Sequence, residues 1–114
     1  LNEIYYNLNK KYYGDEINID EKISWEWARI PHFYTAFYVY QYATGYSAAI
    51  ALSQRILKEN GKDDYINFLK GGSSKYSIDL LKGAGVDMTT AEPVEKAMEV
   101  FANLLDEMEN LLTE

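Results

Sequence analysis

Arg29-Ile-Pro-His-Phe-Tyr-Thr-Ala-Phe-Tyr-Val-Tyr-Gln-Tyr-Ala-Thr-Gly-Tyr-Ser-Ala-Ala49 opens on a proline and runs into the most aromatic part of the chain. It holds the single histidine, five of the eleven tyrosines and no ionised side chain after Arg29. The residue before a proline avoids the α region, so a helix before Ile30 must stop there. Pro31 itself suits the first turn of a new helix, where its missing N–H costs nothing. The next stop signal is Asn60-Gly61, a left-handed cap. The stretch therefore reads as one long helix from about His32 to Glu59. His32 to Gln54 contains no Asp, Glu, Lys or Arg. Such a helix needs cover on nearly every side, which makes it the central element. Its length would also span a bilayer. However, five Tyr and two each of Gln, Thr and Ser are spread through it, whereas lipid-facing helices keep tyrosine at the interfaces. The reading is a central helix of a soluble protein, with no membrane partner.

Outward from this segment the pattern stays helical. Ile4, Tyr5, Leu8 and Tyr12 share one face of a helix that Gly14 ends. Asp15 to Glu21 reads as an acidic connector. Ser24 is placed to cap a short helix through Trp25, Trp27 and Ala28. Asp63 caps a further helix through Leu69, ended by Gly71-Gly72. Ser74 or Ser77 starts a short one through Leu81, ended by Gly83 or Gly85. Thr90 caps the last helix, with Pro93 in its first turn. Val94, Met98, Phe101, Leu105, Met108 and Leu112 form an apolar stripe opposite acids. The expected class is all-α.

With 114 residues the chain makes one domain at most, residues 1–114 taken together. A hydrophobic content of 47% supports a core rather than disorder. The net charge of −7 argues against nucleic acid and against an anionic membrane surface. Cysteine is absent, which excludes a disulfide framework and favours a cytoplasmic location or a cysteine-avoiding bacterial origin. The chain starts at Leu1 without Met, already inside an amphipathic pattern. That leads us to expect a piece of a longer protein.

Catalytic chemistry has little direct support in the residues. A zinc site takes three protein ligands, usually including His, and this chain has one His and no His-Glu-x-x-His. Asp63-Asp64 and Glu107 with Glu109 lack ligand spacing. No Gly-x-Ser-x-Gly is present, and Gly71-Gly72-Ser73-Ser74 lacks the Gly-Lys ending of a phosphate loop. The tyrosines carry more. On a continuous helix Tyr34, Tyr38 and Tyr42 form one stripe, and His32, Ala36, Val39, Tyr42 and Tyr46 form its neighbour. His32 and several phenols could then converge on a groove, where phenols can donate to an oxyanion while their rings stay packed. Aromatic stripes are more often core, so both readings stay open. Ala43 to Ala49 is a small-residue patch that would let another helix approach closely at Gly45.

Trp27-Ala-Arg-Ile-Pro-His-Phe-Tyr34 and Phe37-Tyr-Val-Tyr-Gln-Tyr-Ala-Thr-Gly-Tyr-Ser-Ala-Ala49 closely resemble the C-terminal part of the oligoendopeptidase F family. Leu8-Asn-Lys-Lys-Tyr-Tyr-Gly14, Phe68-Leu-Lys-Gly-Gly-Ser73 and Leu80-Leu-Lys-Gly-Ala-Gly-Val-Asp-Met88 agree in style, and the likeness covers essentially the whole chain. The resemblance implies a helical C-terminal part of a larger α-helical peptidase domain. It implies a zinc metalloendopeptidase acting on short peptides in a deep channel. The zinc would sit on a His-Glu-x-x-His motif and a downstream Glu in the missing N-terminal part. Related peptidases carry a His and one or more Tyr that face the metal, bind the substrate carbonyl and stabilise the transition state. His32 matches that His. Tyr42 is the first match for the phenol, then Tyr38, then Tyr46. The thimet-type relatives have glycines soon after the His, where this chain has Phe33-Tyr34-Thr35.

Two functions from different classes follow. One is a peptidase fragment, inert until joined to its N-terminal part. The other is a non-catalytic helical module that binds a peptide or partner helix. A domain cut from a larger one exposes former core, which favours self-association. On ligand arithmetic, the purified chain should hold no stoichiometric zinc and cleave no peptide. Metal analysis returning one tightly held zinc per chain would contradict this.

Overall fold

The computed structural model describes residues 1–113, and among them there is no strand. The all-α class is as expected from the sequence. The elements are α1 (Asn2–Tyr13), a 3₁₀ segment (Glu21–Arg29), a 3₁₀ turn (Pro31–Tyr34), α2 (Tyr40–Lys58), α3 (Lys62–Gly71), α4 (Ser77–Gly83) and α5 (Glu92–Thr113). The chain divides into two units, Leu1–Tyr40 and a second beginning at Gln41.

The first unit is built by α1 and the two 3₁₀ stretches. Gly14 ends α1 at φ 74°, and its N–H donates to the Lys10 carbonyl at 3.0 Å. The 3₁₀ segment starts at Glu21 and not at Ser24, because Asp20 accepts the Lys22 N–H at 2.9 Å and acts as the cap. Trp27 is pinned to α1 by its indole N–H, which donates to the Asn2 amide oxygen at 2.7 Å. Tyr5 meets the Phe33 ring edge-on at 6.4 Å. The Tyr34 hydroxyl donates to the Ala28 carbonyl at 2.7 Å, tying the 3₁₀ turn to the segment before it.

The long helix does not begin at His32. Pro31 to Tyr34 closes a single 3₁₀ turn, and Phe37 then takes φ 60° before α2 starts at Tyr40. A left-handed residue cannot sit in a right-handed helix, so the chain changes direction between Thr35 and Val39. The C-terminal boundary is as expected, with Asn60 at φ 59°.

In the second unit Ala51 and Leu52 of α2 pack against Ala84 and Val86, with Tyr65, Phe68, Leu81 and Met88 around them. Ser47, Ala48, Ala51 and Leu52 are the buried residues of α2. Tyr40, Tyr42 and Tyr46 are exposed, so α2 is not covered all round. Among the described residues nothing lies within 4 Å of a Cβ built on Gly45, so the small-residue patch meets none of them there. Two expected caps also differ. Gly61 takes the N-cap place of α3, with Asp63 inside the first turn. Thr90 donates its hydroxyl to the Asp87 carbonyl at 2.9 Å, while α5 starts at Glu92.

Charged groups tie this unit together. The Arg55 guanidinium reaches Glu59 at 3.0 Å and Asp64 at 3.1 Å. Lys96 of α5 reaches Glu59 at 3.8 Å and Glu92 at 2.9 Å. The Arg55 guanidinium lies against the turn at Gly85, whose φ of 82° only glycine adopts without strain. A Cβ on Gly85 would also lie 2.6 Å from Arg55 Nε. Asp87 anchors the same turn. One carboxylate oxygen accepts from the Thr89 N–H at 3.0 Å and its hydroxyl at 2.6 Å, and the other meets Lys82 Nζ at 2.7 Å.

Gly85→Ala should lower stability by about 1–3 kcal/mol, the cost of a non-glycine residue held in a left-handed region. Urea unfolding with an unchanged midpoint would contradict it. Bonds from Lys82 and then Thr89 hold the Asp87 carboxyl at about 2, below its ordinary 3.8. A depressed carboxylate stabilises the fold above its unfolded value and loses that contribution as pH falls towards its folded value. The advantage of the parent over Asp87→Asn should therefore be full at pH 5 and vanish between about pH 4 and pH 2. Urea titrations across that range showing a constant difference would refute the assignment.

Candidate functional site

The resemblance points to His32, Tyr38, Tyr42 and Tyr46. His32 sits in the exposed 3₁₀ turn that Pro31 starts and Tyr34 ends. Its imidazole stacks on the Tyr38 ring, with centroids 5.3 Å apart and planes 26° from parallel. Phe37 makes this possible. With φ at 60° it turns the backbone between Thr35 and Val39, which brings Tyr38 back beside the turn that carries His32. A straight helix would instead have put Tyr38 on a different stripe from His32.

Tyr42 and Tyr46 stand one turn apart on one face near the start of α2, 60% and 69% exposed. Neither ring is part of the core that this chain closes. Tyr34, itself 65% exposed, is tied to Ala28 and set against Trp27 with ring centroids 6.3 Å apart. The single stripe of Tyr34, Tyr38 and Tyr42 is lost, because its members lie on a 3₁₀ turn, a bend and an α-helix in that order.

One feature that sequence reasoning missed is Phe37, since no Gly or Asn marks the bend. Another is an open apolar groove of about 380 Å³, lined by Ile4, Tyr5, Leu8, Tyr12, Trp27 and Phe33. The helical spacing of the α1 residues carried its only signal.

The donor set does not fit a zinc site. Among the described residues no three His, Cys, Asp or Glu side chains gather where they could hold one metal ion. No described helix is long and apolar enough to cross a membrane.

Comparison with known proteins accounts for this mixture of an organised turn and uncovered surface. Residues 1–100 match the family model described as Peptidase family M3. The chain is 64% identical over 115 residues to oligopeptidase PepF of Bacillus subtilis, across 98% of this chain and 17% of that protein. It is 48% identical to group B oligopeptidase PepB of Streptococcus agalactiae, across 98% of this chain and 19% of that protein. The crystal structure of oligoendopeptidase-F from Enterococcus faecium matches with a TM-score of 0.86 at 46% identity, across 98% of this chain and 22% of that one. The chain thus spans about a fifth of the length of these relatives. With the family match running through the His32 turn into the start of α5, and with a helical fold shared at this level of identity, the chain belongs to peptidase family M3.

Proposed function

We propose that this chain is the C-terminal part of a cytoplasmic zinc endopeptidase that hydrolyses short peptides. In this reading it supplies a wall of the cleft that binds the substrate and its developing oxyanion. The observation that carries the proposal is the His32–Tyr38 stack in an exposed turn of an M3 chain. Imidazole and phenol each combine a flat packing surface with a polar edge that can donate a hydrogen bond.

The chemistry assigned to the wall is hydrogen-bond donation. When water adds to a peptide carbonyl, negative charge grows on the carbonyl oxygen. A fixed donor there gains strength as the charge develops, so it lowers the barrier more than it tightens substrate binding. His32 takes one such place and Tyr42 another, with Tyr38 and Tyr46 lining the substrate path. The zinc that M3 peptidases use belongs with the part of the enzyme absent here, and no step is assigned to it from these residues.

In an intact enzyme carrying this segment, His32→Ala and Tyr42→Phe should each lower kcat by roughly 10²–10³-fold, the scale for losing one oxyanion donor. KM should change far less. Tyr42→Phe deletes one hydroxyl and keeps the ring. An unchanged kcat in that variant would move the role to Tyr38 or Tyr46, or favour the non-catalytic module. For the module, the apolar groove along α1 is the feature that could take a partner.

A further inference from the structure

The apolar stripe of α5 is only anchored at its start. Pro93 and Ala97 are buried, and Lys96 joins Glu59 and Glu92. Beyond them Met98, Phe101, Leu105, Met108 and Leu112 stay exposed, with Met98 and Phe101 each 58% open. From Val94 to Leu112 the apolar positions alternate steps of four and three. That is the spacing of a seam that takes knobs from one facing helix. At ~1.5 Å per residue the seam runs for about 27 Å. Glu95, Glu99, Asp106 and Glu109 fall along one side of it and are exposed.

We propose that this seam is the seat of one amphipathic helix with a Lys- or Arg-bearing flank, contributed by the part of an M3 oligoendopeptidase that this chain does not contain. The inference rests on the functional reading above and names the surface through which the two parts join. Two observations select the occupant. The relatives run to about five times the length of the matched segment, so they hold the chain needed to cover it. The acidic flank calls for a basic partner, and a second copy would bring its own net charge of −7 against it.

The test is co-expression of this chain with the Bacillus subtilis oligopeptidase from which the similar segment has been removed. The parent chain should co-purify with it. Phe101→Asp combined with Leu105→Asp should reduce recovery by roughly tenfold or more, as expected for losing central apolar anchors. Both side chains are exposed, so the variant alone should keep the parent's circular dichroism. Glu95→Lys, Glu99→Lys and Asp106→Lys together should also weaken recovery, and most at low salt. Unimpaired recovery of the Asp variant would overturn the seam, and unimpaired recovery of the Lys variant would overturn the basic flank. Failure of the parent to co-purify would overturn the occupant. So would sedimentation of the chain alone as a dimer that the Asp substitutions dissolve. His32→Ala serves as the control that separates the two proposals. It should co-purify like the parent, so a failed catalytic assignment leaves this result standing.

Discussion

Ala51 and Leu52 of α2 meet Ala84 and Val86 beside the Gly85 turn, and the second unit is organised around that contact. It is a contact of small side chains. Alanine contributes little apolar area, and a fully buried leucine stabilises by only about 1.5–3 kcal/mol. The unit therefore leans on what surrounds this centre: Tyr65, Phe68, Leu81 and Met88 packed at its edge, and the ion pairs of Arg55 and Lys96 that bridge α2, α3 and α5. Arg55 shows how tight the arrangement is. Its Nε is buried without a hydrogen-bond partner among the described residues, while the other guanidinium nitrogens reach Glu59 and Asp64 and the group lies over Gly85. One orphaned N–H is the local cost of closing three elements around an alanine-rich centre.

The same constraint explains the large apolar surface. A chain with 47% hydrophobic residues has material for a bigger core than the one it closes. Phe101, Met108, Tyr46 and Leu8 all remain exposed. Surfaces of that size mark interaction sites in a soluble protein. The relatives, about five times longer than the matched segment, supply a physical reason for them.

Much of the fold was legible because helix punctuation is local. Gly14, Asn60 and Gly85 each take positive φ, and each closes an element or turn where the pattern put an end. Cap identities were less legible, since Asp20 and Ser24, or Gly61 and Asp63, compete for one place and packing chooses between them. The bend after His32 could not be read at all. Thr35-Ala-Phe-Tyr-Val39 has no glycine, no asparagine and no second proline, so periodicity carried the helix straight through it. Phe37 at φ 60° is a conformation that its own chemistry disfavours, so local propensity gives no signal for it. The candidate site depended on that residue: His32 was found from its motif, whereas its pairing with Tyr38 is a product of the bend.

The open surfaces of this chain differ in chemistry, and the difference argues against treating them alike. The α5 seam offers carbon and sulfur alone, so only packing against another apolar face can satisfy it. The surface around His32 and Tyr38, like that of Tyr42 and Tyr46, ends in imidazole and phenol groups. Such side chains bury a ring on one side and keep a polar tip that works equally well with water or with a ligand. A buried interface built from them would have to find a partner for every hydroxyl or lose stability for each one left unpaired. A cleft that fills and empties with substrate meets no such penalty, since water takes each place between turnovers. The seam is thus suited to permanent cover and the tyrosines to transient contact.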